Sequence, residues 1–385
     1  MAPKFLYYFI TVVGTAATTY TLLQLLRNPQ TKEKPPKRKQ NVADLIGNTP
    51  MVKISSLSKL TGCEIYAKLE LANPGGSAKD RVALAVIQDF EKKGLISPNS
   101  GDVVFEGTSG STGISFAMLC NALGYTAHIC LPDDTSNEKL QLLESYGAEI
   151  EKVKPASIVD PSQYVNAARR GAQALTDDPT TDARGVFADQ FENDNNWRVH
   201  YRTTGPEIWE QMDHDLDYFV AGSGTGGTIS GCSKFLREHD DSIKVVLADP
   251  QGSGMYNRIK YGVMYDSVEK EGTRRRHQVD TLIEGIGLNR VTHNFSQGEA
   301  YITDSERVTD EQAIRMARFL SSNDGLFVGS STSINAVAAT RIAQRSEKGT
   351  KIVLIACDSG TRHLSKFWKE ALKVDSKITL EQVLH

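Results

Sequence analysis

The chain has 385 residues, of which 39% are hydrophobic and 24% charged, with a formal net charge of −3. That length allows two sizeable cores, the composition is ordinary for a globular protein, and the charge gives no basis for a nucleic-acid partner. Five scattered cysteines (Cys63, Cys120, Cys130, Cys232 and Cys357) form no C-x-x-C pair, and no histidine stands at metal-ligand spacing. This argues against a disulfide framework and a structural zinc, and suits a reducing compartment.

In chain order, the first expected element is a membrane anchor over residues 1–26. No charged residue occurs from Phe5 to Leu26, and these 22 residues as a helix would span about 33 Å against a hydrocarbon core of about 30 Å. Tyr7 and Tyr8 are placed as interfacial aromatics, although five threonines and Gln24 weaken the apolar run. Arg27, Lys32, Lys34, Lys37, Arg38 and Lys39 follow, and this basic flank predicts that the globular part faces the cytosol. A secretory signal would need a stronger basic start than Lys4, and a matrix presequence would carry arginine before Arg27. Residues 27–40, with Pro29, Pro35 and Pro36, read as a basic linker.

Beyond Val42, apolar β-like runs alternate with helical stretches. Strands are expected at Ile65–Leu69, Val103–Glu106, Ala127–Leu131, Tyr218–Ala221, Val245–Ala248 and Ile352–Ala356, with helices such as Arg81–Lys93 and Ile114–Leu123 between them. This alternation predicts an α/β fold with parallel sheets, whose ligands bind in the loops after the strands.

Four such loops carry candidate chemistry. Lys79, in Asn73-Pro-Gly-Gly-Ser-Ala-Lys79, starts a helix, where the local positive field and partial burial would lower its pKa and suit it to form a Schiff base. Alone, the motif reads more readily as a surface lysine beside a glycine-rich turn. Thr108-Ser109-Gly110-Ser111-Thr112-Gly113 places four hydroxyls at a helix N-terminus, a setting for a carboxylate or a simple cap. Gly222-Ser-Gly224-Thr225-Gly226-Gly227-Thr228 reads as a phosphate cradle between strand and helix. Gly222, Gly224 and Gly227 also satisfy G-x-G-x-x-G, with Asp249 at a later strand end, so a nicotinamide-binding Rossmann reading competes. Gly329-Ser330-Ser331-Thr332-Ser333 offers hydroxyls to a heteroaromatic nitrogen or merely caps a helix beginning near Ile334.

Taken together in this order, from Asp44-Leu-Ile-Gly-Asn-Thr-Pro50 to about Trp368, these motifs resemble the cysteine synthase and cystathionine β-synthase family of fold-type II pyridoxal-phosphate enzymes. With its N-terminal stretch the chain is similar to the fungal cysteine synthase-like proteins of the mitochondrial outer membrane. The resemblance implies a tryptophan-synthase-β-like fold of two open twisted α/β domains with the active site between them. The larger, cofactor-binding domain would comprise 41–72 and 195–375, and the smaller, substrate-side domain 73–194. It also implies a homodimer, a single-pass outer-membrane location with the catalytic part in the cytosol, and pyridoxal 5′-phosphate as cofactor.

By position, Lys79 matches the family's Schiff-base lysine. Ser111, Gly224, Thr225, Gly226, Gly227, Thr228 and Ser331 match its other cofactor contacts. Thr108, Ser109, Gly110, Thr112 and Gln190 match residues that hold the substrate, and Gly285, in Glu284-Gly-Ile-Gly287, lies in the loop lining the entrance. No metal is implied. Three departures stand out: Ser111 replaces the family's asparagine, Ser331-Thr332-Ser333 replaces S-S-G, and Asp194-Asn195-Asn196 replaces P-x-N. The implied reaction is β-replacement, making L-cysteine from O-acetyl-L-serine and sulfide, with Lys79 as general base. Serine dehydration, cysteine desulfhydration and cystathionine synthesis are the alternatives of the same chemistry. A membrane-tethered cofactor-binding scaffold with little turnover is the alternative of another class. Arg274-Arg275-Arg276-His277 reads as a solvated or subunit-contact patch, and the eight histidines are given no role.

Overall fold

The computed structural model describes residues 38–108, 110–156, 160–266 and 281–385, and the compact unit treated below is Asn41–His385. Its strands, in chain order, are β1 (Met51–Lys53), β2 (Glu64–Leu69), β3 (Val103–Gly107), β4 (Thr126–Pro132), β5 (Glu149–Val153) and β6 (Gly185–Phe187), then β7 (Tyr218–Gly222), β8 (Lys244–Pro250), β9 (Asp304–Val308) and β10 (Lys351–Ala356). They form a six-stranded sheet, ordered β1-β2-β10-β7-β8-β9, and a four-stranded sheet, ordered β5-β4-β3-β6. Every pairing is parallel except that of β1 with β2.

The large sheet owes its centre to β10. Ile352 to Ala356 are at most 1% exposed, so the run is covered on both faces, as its unbroken apolar sequence requires. On one face the helices Asp310–Asp324 and Ser330–Gln344 bury Met316, Leu320, Ile334, Val337 and Ile342 against it. The first of these helices has both its ends specified. Thr309 and Gln312 form a reciprocal capping box, and Gly325 follows in the left-handed conformation. The second starts at Ser330 rather than near Ile334. Its hydroxyl run is interior: Ser333 Oγ bonds back to the Gly329 carbonyl at 3.1 Å, and Thr332 Oγ1 accepts the Cys357 N–H at 2.9 Å.

The small sheet is packed between the helix Ser111–Leu123, through Ile114, Ala117 and Leu119, and the helix Tyr164–Thr176, through Val165 and Ala168. β3 is buried along its whole length. Gly107 at its end has no alternative, since a Cβ there would run into the backbone of Val165.

The helix Lys79–Lys92 is tied to the large sheet by a buried charge network. Arg81 is 2% exposed and forks onto Glu70, itself 0% exposed, through Nε and Nη2 at 2.8 Å each. Its Nη1 meets Glu207 at 2.6 Å, and Lys68, also 0% exposed, meets the same carboxylate at 2.6 Å. Burial works against the Glu207 carboxylate, yet Arg81 and Lys68 hold it down to about 2. Such a network fixes position more than it adds net stability, because desolvating the ions offsets most of their attraction.

The expected membrane location requires correction. Among the described residues no helix is long and apolar enough to cross a membrane. Residues 1–26 and most of the 27–40 linker lie outside the described residues, as does Arg274–His277. Physically, the hydropathy that suggested an anchor is interrupted by Thr11, Thr15, Thr18, Thr19, Thr21 and Gln24, and the single-pass outer-membrane placement is withdrawn.

Candidate active site

The carboxyl ends of β3, β7 and β10 open into one cavity of about 910 Å³. It is lined by Lys79, Thr108, Gly110, Ser111, Thr112, Gln190, Gly224, Thr225, Gly226, Thr228, Gly285 and Ser331. Two expected residues are not among these: Gly227, where a Cβ would strike the Asn196 side chain, and Ser109, which lies outside the described residues.

Lys79 is the first residue of its helix, and its turn is stitched to the end of β10. Ala78 N–H donates to the Cys357 carbonyl at 3.3 Å, and Ser77 forms a bridge with Asp358. Asp80 anchors the same turn by accepting from Gly75 N at 2.6 Å and from Ser115 Oγ at 2.6 Å. Burial lowers the Lys79 pKa, against the opposing pull of Cys357, Asp358 and Glu70. An amine with more of its neutral form is both a nucleophile and a base.

The loop after β7 has no room for side chains. A Cβ on Gly224 would collide with the Gly285 carbonyl, and Gly226, at φ +87°, would press one into Phe295. Thr225 is fixed from both ends: its Oγ1 accepts Asn196 Nδ2 at 2.9 Å and its carbonyl accepts Thr292 Oγ1 at 2.7 Å. Thr228 Oγ1 lies 3.1 Å from Nε2 of His200, an imidazole that burial keeps well below its ordinary pKa, hence neutral. The helix Gly227–His239 begins here, and its first N–H groups lack intrahelical acceptors, the setting in which a helix N-terminus receives an anion.

Across the cavity, Thr112 Oγ1 donates to Gln190 Oε1 at 2.5 Å, and Gln190 N–H donates to Glu106 Oε2 at 3.3 Å. Burial pushes the Glu106 carboxyl far above its ordinary pKa, so it is held as the acid beneath the glutamine. Ser331 faces the cavity from its helix and bonds to the Cys357 thiol, which burial raises to about 11. Sequence reasoning had given no role to Asn196, His200, Glu106 or Cys357. Only Asn196 carried a signal, since it keeps the final position of the altered P-x-N segment.

At the rim, the helix Asn137–Ser145 reaches over to the loop before β9. Lys139 Nζ meets Glu284 Oε2 at 2.5 Å, and Glu138 accepts the Ser365 N–H at 3.0 Å. His363 lies between two acids, with Nε2 2.9 Å from Asp358 and Nδ1 3.5 Å from Glu284. Burial opposes its charge, but the two carboxylates win and raise its pKa from 6.5 to about 9. A raised histidine stabilises the folded rim fully below pH 6.5 and loses that contribution as pH rises through about 9. His363→Gln is therefore expected to lower the melting temperature most at pH 6, by an amount worth roughly 3 kcal/mol at most. Its gap to the unmodified protein should close above pH 9 in a thermal melt series. A gap independent of pH would refute the ion-pair account.

This site also decides between the two readings of the glycine-rich loop. Asp249 is fully buried and accepts the Tyr256 N–H at 2.7 Å, so it does not present a carboxylate to a ribose. Burial holds it up to about 7. Lys79, the hydroxyl loop at Thr108–Thr112 and the glycine-rich loop after β7 share one cavity, an arrangement that suits a cofactor bearing both an aldehyde and a phosphate. The pattern of the pyridoxal-phosphate dependent enzymes matches residues 42–358. The chain belongs to that family. Its cofactor is pyridoxal phosphate, and the two-sheet α/β architecture is that of fold type II.

The family member is 65% identical to a Saccharomyces cerevisiae protein named as a mitochondrial cysteine synthase, over 91% of this chain and 89% of that one. It is 55% identical to cysteine synthase 2 of Schizosaccharomyces pombe, over 86% of this chain and 83% of the relative. The crystal structure of an O-acetylserine dependent cystathionine β-synthase from Helicobacter pylori superposes with a TM-score of 0.72 at 30% identity, covering 86% of this chain and 99% of that one. The word mitochondrial in the yeast name says nothing of an outer membrane, which is the second reason for the correction above.

Proposed function

We propose that this pyridoxal-phosphate enzyme makes L-cysteine by β-replacement, taking O-acetyl-L-serine as donor and sulfide as nucleophile. The observation that carries the reading is the meeting, in one cavity, of a buried lysine amine, an anion cradle and a second hydroxyl-lined loop suited to a carboxylate. The names of the fungal relatives favour cysteine synthesis over serine dehydration, cysteine desulfhydration, cystathionine synthesis or a scaffold without turnover. The homodimer belongs to the same reading and rests on resemblance.

When bound, pyridoxal phosphate supplies the electron sink that lets an amino acid lose its α-proton and β-substituent. Lys79 would hold it through its amine, and the free amine would take the substrate α-proton as general base. Gly224 to Thr228 would hold the phosphate, with backbone N–H groups and two threonine hydroxyls to offer it. Thr108, Ser109, Gly110, Thr112 and Gln190 bind the substrate carboxylate, with Gln190 kept in orientation by Glu106 and Thr112. Ser331, which lines the cavity, would face the pyridine nitrogen, where a hydroxyl, unlike a carboxylate, would not enforce protonation. Gly285 leaves the entrance open, with no heavy atom near the place of a Cβ. In this reading the small domain runs over residues 73–194 and the large over 41–72 and 195–375.

Ser111 bears on rate. It opens the helix Ser111–Leu123 and lines the cavity, where the family's asparagine would reach about one heavy atom farther. One missing neutral hydrogen bond in a buried site costs about 0.5–1.5 kcal/mol, and up to about 3 when a partner is left unpaired. Ser111→Asn is therefore expected to speed the change in the cofactor's visible absorbance on mixing with O-acetylserine by roughly three- to a hundredfold. Stopped-flow absorbance of both proteins, followed by cysteine assay with sulfide, tests the proposal. A slower asparagine variant, or a spectrum unmoved by O-acetylserine, would end the O-acetylserine assignment.

A further inference from the structure

On the face of the small sheet that packs against the helix Tyr164–Thr176, two neighbouring strands bring together side chains that the reaction leaves unused. β4 contributes His128 and Cys130, two residues apart and so on one face, and β5 contributes Glu149 and Glu151 in register opposite them. Glu151 Oε2 lies 3.2 Å from His128 Nε2 and 3.4 Å from Cys130 Sγ. All three ligand atoms fall within 4.8 Å of one another.

We propose that His128, Cys130 and Glu151 form a site for one Zn²⁺ ion at the edge of the small sheet, distinct from the active site. The edges of a tetrahedron with zinc–nitrogen, zinc–oxygen and zinc–sulfur bonds of ordinary length are about 3.4 Å for nitrogen to oxygen and about 3.6 Å for sulfur to oxygen. The two separations from Glu151 lie within a few tenths of an ångström of those edges, and the histidine-to-cysteine separation, within 4.8 Å, closes toward an edge of about 3.6 Å as the ion enters. The mixed nitrogen, sulfur and oxygen set selects zinc and its neighbours over magnesium or calcium.

Two features orient the ligands. Glu149 Oε2 lies 3.0 Å from His128 Nδ1, so a proton on Nδ1 leaves the Nε2 lone pair turned toward Glu151 and Cys130. A carboxylate on the far nitrogen of a metal-bound imidazole is the common supporting contact of such sites. The His128 ring is also stacked on Phe105, centroids 4.7 Å apart, which fixes its plane. Access is from the edge strand, where Glu151 is exposed, while Cys130 is fully buried beneath it. Without the ion the thiol keeps its proton and donates it to Glu151; binding replaces that proton with the metal and releases it to solvent. Arg170 opposes the ion's charge, but its guanidinium is engaged by the Pro161 carbonyl.

The probe is Co²⁺ added to the metal-free, cofactor-loaded full chain. One equivalent is expected to give the intense visible bands of tetrahedral cobalt and a near-ultraviolet thiolate charge-transfer band, both erased by Zn²⁺. Cys130→Ser should remove the charge-transfer band, and Cys357→Ser should keep it. Glu149→Gln, at a surface position that the fold does not depend on, should weaken binding by about ten- to a hundredfold. Glu151→Gln, also at the surface, should weaken it at least as much. The proposal is overturned by the absence of a tetrahedral cobalt spectrum, or by a spectrum that survives both Cys130→Ser and Glu151→Gln.

Discussion

Lys79→Ala is expected to abolish the visible absorption that the bound cofactor owes to its covalent link, and to cut cysteine formation by on the order of a thousandfold or more. The amine is the group placed to do both, because it opens the helix at the cavity wall and burial has already weakened its hold on a proton. Among the described residues its side chain makes no hydrogen bond or ion pair. Removing it therefore takes away a desolvated amine without orphaning a partner, and the melting temperature should not fall. Pyridoxal phosphate should still bind, since Gly224 to Thr228 are untouched, and equilibrium dialysis will measure it. Retained visible absorption would refute the assignment of Lys79, and a lost fold would show that the residue is structural instead.

The second large effect is expected at Arg81. Arg81→Met keeps most of the side-chain volume but leaves Glu70 at 0% exposure with its fork of two 2.8 Å contacts gone. Glu207 keeps Lys68, so the unpaired charge falls chiefly on Glu70. Removing one partner of a buried ion pair costs about 3–5 kcal/mol, and urea unfolding should show a loss of that size. The double change Glu70→Gln with Arg81→Met should recover part of it, because the orphaned charge is then absent. Activity should fall with the single change even under conditions where the protein remains folded, since the same helix carries Lys79. Additive losses in the double variant would mean that the two side chains do not act as a pair.

Much of this was readable beforehand for specific reasons. β10 announced itself because six consecutive residues with five apolar ones can only be a strand covered on both faces. The loops announced themselves because glycines and hydroxyls crowd where parallel strands end. By contrast, β5 and β9 read Glu-Ile-Glu-Lys-Val and Asp-Ser-Glu-Arg-Val, edge strands whose charges hide their pairing. The rim pair Lys139–Glu284 joins residues 145 apart, and only the topology brings them together. His128 and Cys130 share one segment without a third ligand in sequence, and the strand register brings Glu151 to them from the neighbouring strand. The hydroxyl run Ser330–Ser333 reads as preceding its helix because serine and threonine favour caps; burial and bonds to Gly329 and Cys357 draw it inside.

The strand order carries a consequence for how the chain folds as it is made. β3, β4, β5 and β6 lie between Val103 and Phe187, so the small sheet can close as soon as that stretch has left the ribosome. The large sheet cannot. β2 has no parallel neighbour until β10 arrives, and β10 inserts between β2 and β7 with its first residue at position 351. The apolar edges of β2 and β7 must therefore wait through most of synthesis, with loop-closure entropy set against them. Domain-wise assembly puts the small sheet first, and pulse-labelled hydrogen exchange during refolding should protect Val104 and Ile129 before Val353 and Leu354.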